Sequence, residues 1–410
     1  MPEALIIDAC RTPRGIGKQG KGALADMHPQ HLGATVLKAL AERTGINTAE
    51  VDDILWGTST QRGTQGGDIG RMSALDAGYD QRSSGMTLDR FCGSGITTVN
   101  LAAASIMSGM EDLVIAGGTE MMSMTATLRD GPAFMDSGNL RLRARHPQSH
   151  QGVCADAIAT LEGISRADLD ALALQSQQRA AVAIAEGRFD KSLVPVYRAD
   201  GSLALTKDEF PRPQTTAEGL AGLKPAFTAL ADVVLDEQGT TYRRLINAVY
   251  PDLDIQFRHH AGNSSGVVDG SAALLLASPS YAKAHGLKPR ARVVAMANMG
   301  DSPTLMLNAP VPAARKVLAK AGLTVDDIDL WEINEAFAVV AEKFMRDLRL
   351  DRDKVNVNGG AMALGHPIGA TGSILIGTLL DELERRDLRR GLVTMCAAGG
   401  MAPAIIIERV

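Results

Sequence analysis

Apolar residues along this chain fall into short buried runs separated by amphipathic stretches. Residues 4–8 (ALIID) read as a first strand. Pro29–Arg43 has helical spacing, with Leu32, Val36, Leu37 and Leu40 on one face. Asp53–Trp56 reads as a strand, Gly95–Gly109 as a helix rich in small residues, and Glu111–Thr119 as a buried strand. The alternation returns after the middle of the chain. Asp269–Pro279 and Arg290–Met299 read as strands, then Ala313–Ala321 as a helix and Asp329–Glu332 as a strand. Ala336–Leu348 and Ala370–Arg385 read as helices, and Val355–Val357, Gly391–Met395 and Ala404–Glu408 as strands. Such alternation predicts an α/β fold with a largely parallel sheet covered by helices.

The stretch from about Met121 to about His260 differs. It is more polar, carries the basic run Asn139–His146 (NLRLRARH) and shows one clear helix, around Ser165–Glu186. It reads as an inserted loop domain. The flanking parts resemble each other. Cys92-Gly-Ser-Gly leads into a helix and a strand ending AGG, and His366-PIGATG leads into a helix and a strand ending AAGG. This predicts a duplicated unit whose corresponding turns face one site.

Composition narrows the class. The chain has 410 residues, 45% hydrophobic and 22% charged, so it can bury a large core without staples. Lys+Arg 42 against Asp+Glu 47 gives a net charge of −5, which argues against a dedicated nucleic-acid binder. No apolar run reaches membrane-spanning length, and residues 1–15 lack the pattern of a signal peptide. A cytoplasmic location is the expectation. Cys10, Cys92, Cys154 and Cys396 stand far apart with no CxxC pair, so no metal site is expected.

Four junctions carry chemistry. Cys92, before a helix and among glycines, sits where a helix N-terminus lowers a thiol pKa. Its bland alternative is a buried Cys before a glycine cap. His366 stands in a glycine-dense stretch and is of a type that deprotonates a thiol. Cys396, ahead of Ala397-Ala-Gly-Gly, can present a thiol and backbone N–H groups, or be core. Asn334 can cap a helix or orient an oxyanion.

These stretches (FCGSG, NEAFA, NVNGGAMALGHPIGATG and CAAGGM, in this order) resemble the thiolase family. Weaker matching stretches are RTPRG, AGGTEMMS, PRPQTTAEGLAGLKPAF and AGNSSGVVDG, so the likeness covers essentially the whole chain. It implies a five-layer αβαβα fold of two similar βαβαβαββ halves with an inserted loop domain. The implied division is 1–121 completed by 261–287 for the first half, 122–260 for the loop domain, and 288–410 for the second half. The implied reaction is thiolytic cleavage of a 3-ketoacyl-CoA, or the reverse condensation, by ping-pong through an acyl-cysteine. Cys92 would be the nucleophile and His366 its activator. Asn334 would hold a water in the oxyanion site, and Cys396 would move the proton at the α-carbon. The backbone N–H groups of Cys92 and Ala398 would form a second oxyanion hole. Arg212 would meet the CoA phosphates, Phe227 and Phe337 would flank adenine or pantetheine, and Ser265 and His150 would contact the pantetheine arm. No cofactor is implied beyond coenzyme A and acyl-CoA as substrates. A homodimer or homotetramer is implied, with a β-oxidation hydratase/dehydrogenase subunit as a further partner.

The chain departs from the family pattern in places. Asp89 replaces the usual Asn, and such a carboxylate raises the thiol pKa if it faces inward. Gln151 stands where short-chain members carry Met, and Ala398 where Gly is frequent. About 35 residues separate Phe227 from Asn263, far more than compact members need. That insertion is open between an acyl-pocket wall, a partner contact and a surface elaboration. Degradative 3-ketoacyl-CoA thiolysis leads. A short-chain acetyl-CoA acetyltransferase and a non-catalytic thiolase-like CoA or lipid binder are the alternatives.

Overall fold

The computed structural model describes residues 3–125 and 134–410. One continuous sheet holds two copies of the same strand arrangement. In the first, Met86–Leu88, Asp53–Gly57 and Leu113–Met121 run parallel, then Val268–Ala277 and Leu5–Arg11 follow antiparallel. In the second, Leu330–Ile333 and Arg390–Thr394 run parallel, then Met401–Arg409 and Ala291–Gly300 follow antiparallel. The copies meet at a short antiparallel seam, Leu5 opposite Arg292 and Ile6 opposite Ala291. The outer strand expected at Val355–Val357 is reduced to a single parallel bridge between Val355 and Trp331, after a 3-10 turn at Arg352–Lys354. Met86–Leu88 fills the equivalent place in the first copy and has only three residues.

Helices Ser94–Ser108 and Ile368–Arg385 lie between the two halves of the sheet and contact both. Pro29–Thr44 covers the outer face of the first half, and Pro310–Ala321 that of the second. The result is the five-layer α/β arrangement. Ile96, Val99, Leu375, Leu379 and Ile405 belong to the core around the central helices.

The two central helices start against each other. A Cβ on Gly372 would lie 2.1 Å from the Ile96 nitrogen, and one on Gly95 2.7 Å from the Ser373 nitrogen. Only glycine permits that approach, because backbone atoms cannot step aside. Ser373 Oγ donates to the Gly95 carbonyl at 3.1 Å and closes the crossing. The segments that precede both helices therefore converge.

The inserted region is more regular than its sequence pattern predicts. Besides Arg166–Ala185 it holds helices Leu140–Arg145, Gln151–Leu161, Ala217–Ala221, Thr228–Ala231 and Tyr242–Asn247, and a two-strand ribbon of Val196–Tyr197 with Leu203–Leu205. Most are too short to show a period, and several are nucleated by caps. Asn139, Thr216 and Thr241 each accept from a backbone N–H of the first turn.

Gly372→Ala is expected to destabilise the fold by about 1–3 kcal/mol or more, the range for overpacking a rigid contact. Urea unfolding measures this as a lowered midpoint; an unchanged midpoint would show that the crossing yields.

Candidate active site

Cys92 is set by a strained turn. Asp89 Oδ1 accepts from the Phe91 N–H at 2.6 Å, and Ser94 Oγ accepts from the Arg90 N–H at 2.9 Å and donates to the Phe91 carbonyl at 2.6 Å. Together they hold Phe91 at φ +49°, a conformation costing an aromatic residue about 1–3 kcal/mol. The next residue is Cys92, one before the Gly93 cap of the central helix. Its thiol pKa is pushed up to about 12, by burial first and by the charge of Glu120 second, with Asp89 adding a smaller push. The expected lowering by the helix N-terminus is thus reversed: loss of solvation and two carboxylates outweigh a partial charge. A neutral thiol of this kind needs a base beside its reaction path.

His366 has the properties of that base. Its backbone N–H donates to the Gly266 carbonyl at 2.9 Å, and Nδ1 lies 2.6 Å from Thr371 Oγ1. With the Thr371 hydroxyl donating to the Pro367 carbonyl at 3.1 Å, Nδ1 is the donor of this pair. The lone pair then sits on Nε2, which is buried and has no hydrogen-bond partner. Burial, with a smaller contribution from the Arg14 cation, lowers the His366 pKa to about 3 and keeps the ring neutral.

The remaining members come from the second half. Asn334 is no helix cap. The helix after it begins at Ala338, and both side-chain amide atoms of Asn334 are buried without partners. Its backbone N–H is tied to the Thr394 carbonyl at 3.3 Å. Cys396 is buried, and its pKa is raised by burial and then by proximity to Cys92, so the two thiols share one electrostatic environment. After it, Ala397 and Met401 exchange backbone hydrogen bonds of 2.7 and 3.2 Å around Gly399 and Gly400, both at positive φ. A Cβ on Gly93 would lie 3.4 Å from the Ala397 side chain, so this turn abuts the Cys92 turn. The Cys92 and Ala398 N–H groups donate to no backbone carbonyl among the described residues.

Sequence reasoning overlooked the side chains that fix these segments. Glu120, at 0% exposure, accepts from Ser59 N–H at 2.8 Å, Gln65 Nε2 at 2.9 Å and the Gly369 N–H at 2.9 Å, which ties the His366 segment to the first half. Glu335 accepts from Ser176 Oγ at 2.6 Å, Asn356 Nδ2 at 2.9 Å and the Met362 N–H at 3.2 Å. Their only signal was position, beside AGG and inside NEAFA. Cys10 and Cys154 are buried, with Sγ against the Val36 and Thr304 carbonyls, and serve packing.

Three of the five expected CoA contacts are brought together. The His150 and Phe227 rings are 5.7 Å apart and those of Phe227 and Phe337 5.8 Å apart, with Tyr242 and His259 extending the cluster. Ser265 joins its edge, its N–H donating to the Ala336 carbonyl at 2.9 Å. Arg212 stands apart, exposed, with its guanidinium 5.6 Å from the Phe210 ring. No cluster of three or more His, Cys, Asp or Glu among the described residues is placed to hold a metal ion, and no described helix is long and apolar enough to cross a membrane.

The arrangement offers a soft nucleophile, a fixed lone pair, a second thiol and free N–H donors, the set that acyl transfer at a thioester requires. Asp89→Asn keeps the acceptor for Phe91 but removes a charge near Cys92. Iodoacetamide alkylation of Cys92 should then move to lower pH; an unmoved profile would exclude Asp89 from tuning the thiol.

The chain is similar to known proteins over its full length. Residues 4–234 match the family model for the N-terminal domain of thiolase, and residues 287–409 that for the C-terminal domain. An acetyl-CoA acetyltransferase of Chromobacterium violaceum is 41% identical over 99% of this chain and 100% of its own. A steroid 3-ketoacyl-CoA thiolase, FadA6, of Mycobacterium tuberculosis is 40% identical over 100% of this chain and 95% of its own. A beta-ketoadipyl-CoA thiolase of Pseudomonas putida is 41% identical over the whole of both. The crystal structure of an acetyl-CoA acetyltransferase from Bacillus anthracis superposes with a TM-score of 0.83 at 35% identity, covering 100% of this chain and 99% of that one. With both domain models matched and relatives near 40% identity end to end, the chain belongs to the thiolase family and is an acyltransferase.

Proposed function

We propose that this enzyme cleaves 3-ketoacyl-CoA with CoA, giving acetyl-CoA and a shortened acyl-CoA, through an acyl group on Cys92. The observation that carries the reading is the bare Nε2 lone pair of His366, held by Thr371. Cys92 Sγ attacks the keto carbon while His366 Nε2 takes the thiol proton. The bond between the keto carbon and the α-carbon breaks, its electron pair staying on the α-carbon of acetyl-CoA. The Cys396 thiol protonates that carbon and is left as thiolate. In the second half-reaction Cys396 takes the proton of incoming CoA, whose sulfur attacks the acyl-cysteine. The proton on His366 returns to Cys92. Asn334, with a water on its amide and assisted by His366, stabilises one oxyanion, and the N–H groups of Cys92 and Ala398 stabilise the other. Phe227, Phe337, His150 and Ser265 line the pantetheine path, and Arg212 meets the phosphates at the rim.

The same reading divides the chain into 1–121 with 261–287, 122–260, and 288–410. It takes CoA and acyl-CoA as the only cofactor chemistry, a homo-oligomer as the assembly and the cytoplasm as the setting. A docked hydratase/dehydrogenase subunit is compatible with it.

The substrate reading is degradative, supported by Gln151 and by the long segment after Phe227. A short-chain acetyltransferase is the second reading, favoured by the names of the relatives from Chromobacterium violaceum and Bacillus anthracis. Thiolysis rates for a four-carbon and for longer 3-ketoacyl-CoAs separate them, and a strong preference for four carbons would reject the degradative reading.

Two outcomes test the mechanism. His366→Ala should lower kcat by about 10²–10⁴-fold, the usual weight of a general base; a near-normal kcat would remove His366 from the role. With the imidazole titrating near 3 and the thiol near 12, neither group changes state from pH 5 to 9 in the free enzyme. The profile of kcat/KM should therefore be flat there, and a limb near pH 6.5 would contradict a buried neutral imidazole.

A further inference from the structure

One buried charge beside the catalytic turns has no counter-ion of its own. Arg14 is 4% exposed, and its Nε is buried without a partner. Its guanidinium makes no ion pair or side-chain hydrogen bond among the described residues. The carboxylate beside it, Asp208, is committed elsewhere. Asp208 takes both Arg11 Nη atoms, at 2.8 and 2.9 Å, and the Arg14 backbone N–H at 2.8 Å. One carboxylate thus serves two guanidinium groups. Glu332 is also in electrostatic reach, but burial, then the charges of Glu335 and Glu382, push its carboxyl well above the usual range and keep it neutral. Arg14 is lowered to about 9, by burial first and by Arg11 second, and remains a cation at neutral pH. An uncompensated buried cation costs stability, and no ion pair in the fold recovers that cost.

This charge belongs to the wall that carries His366. Gly15 and Ile16 pair with Asp269 and Val268. A Cβ on Gly365 would lie 2.4 Å from the Val268 side chain, and the His366 N–H donates to the Gly266 carbonyl at 2.9 Å. At the other end, a Cβ on Gly270 would lie 3.1 Å from Pro367 and 3.7 Å from Thr12 Oγ1. Residues 12–16 and 365–367 therefore pack on the same stretch, 266–270, and Arg14 is the charged side chain that acts on His366. The opposite sign stands on the Cys92 side, where Glu120 and Asp89 act on the thiol. Negative charge at the proton donor and positive charge at the acceptor both oppose transfer of the thiol proton to Nε2.

We propose that Arg14 is a positioning residue that keeps Cys92 and His366 a neutral thiol–imidazole pair until substrate is bound. The proposal rests on the thiolase reading and adds control of the resting nucleophile to it. Without substrate, a thiolate–imidazolium pair would set a second cation beside Arg14. During turnover the oxyanion held by Asn334 and His366 supplies the negative charge that the fold withholds from Arg14. Sγ then bonds to the keto carbon as its proton passes to Nε2, and the carbonyl electron pair moves to oxygen. Resting Cys92 is thereby shielded from alkylating and oxidising electrophiles, which react with thiolate, at no expense to turnover.

The test compares wild type, R14M and R14K at neutral pH. Iodoacetamide alkylation of Cys92 is followed by peptide mass, and kcat/KM by thiolysis of a 3-ketoacyl-CoA. R14M should alkylate Cys92 up to about tenfold faster, the factor for one unit of basicity, with no matching rise in kcat/KM. R14K, which keeps the charge, should stay near wild type. The thermal midpoint of R14M should not fall, because an apolar chain replaces an unpaired buried charge. An unmoved alkylation rate overturns the proposal. So does a parallel rise in kcat/KM, which would mean that substrate does not release the restraint. R14K alkylating as fast as R14M, or a lowered midpoint in R14M, would trace the effect to shape or loosening and overturn it too. Alkylation is read without substrate. Failure of wild type to cleave acetoacetyl-CoA and longer 3-ketoacyl-CoAs therefore overturns the thiolase reading whatever the alkylation shows.

Discussion

The whole arrangement hangs on one steric fact: the first turns of Ser94–Ser108 and Ile368–Arg385 touch through backbone, at Gly95 and Gly372. Helices that close bring their starting loops to one point. One loop carries Cys92 and the other His366. The same demand for small residues runs outward. Gly57 and Gly118 both approach the Gly369 carbonyl so closely that a Cβ would lie 2.8 and 2.2 Å from it. A chain with 42 glycines and 4% aromatic residues suits a centre where sheet and helix backbones press together. Bulk is used elsewhere in the core, as where the buried Trp331 and Phe344 pack edge-on at 6.0 Å.

A second constraint is electrostatic, and it pulls against the chemistry. Glu120 bridges the two halves by collecting N–H donors from Ser59 and Gly369. Removing it would leave those donors unsatisfied in the interior. Yet its charge is second only to burial in making the Cys92 thiol hard to ionise. The site accommodates this by using a neutral pair, thiol and imidazole, in place of a thiolate–imidazolium pair. Thr371 then matters as much as His366, because it decides which nitrogen is bare.

What could be read in the sequence was whatever the backbone encodes locally. The glycine-flanked Cys92 and His366, the four chemical junctions and the long amphipathic helices were all visible, and so was the repetition of the two halves. The four-residue strand Leu330–Ile333 was also found, because its residues are wholly buried and its neighbours polar. Contributions that exist only across space were invisible. Glu120 and Glu335 look like any surface glutamate until their partners arrive from residues 59 and 369, or 176 and 356. Asn334 reads as a cap by position, but the chain stays extended through Phe337 and the amide is left bare. The sign of the Cys92 shift follows the same division: the helix start is local to the sequence, whereas burial and Glu120 are not. Met86–Leu88 and the short helices of the inserted region fell below the length at which a period can be counted.

The placement of Val268–Ala277 has a consequence for synthesis. This fully buried strand lies between Leu5–Arg11 and Leu113–Met121 and bonds to both. The two flanking strands leave the ribosome first, and residues 122–267 must follow before the gap between them is filled. At about 5–20 residues per second that interval is on the order of 10–30 s. Throughout it, two apolar strand edges lack their natural neighbour and can adopt another chain instead. The speed at which the inserted region is translated therefore sets how long those two edges stay unpaired.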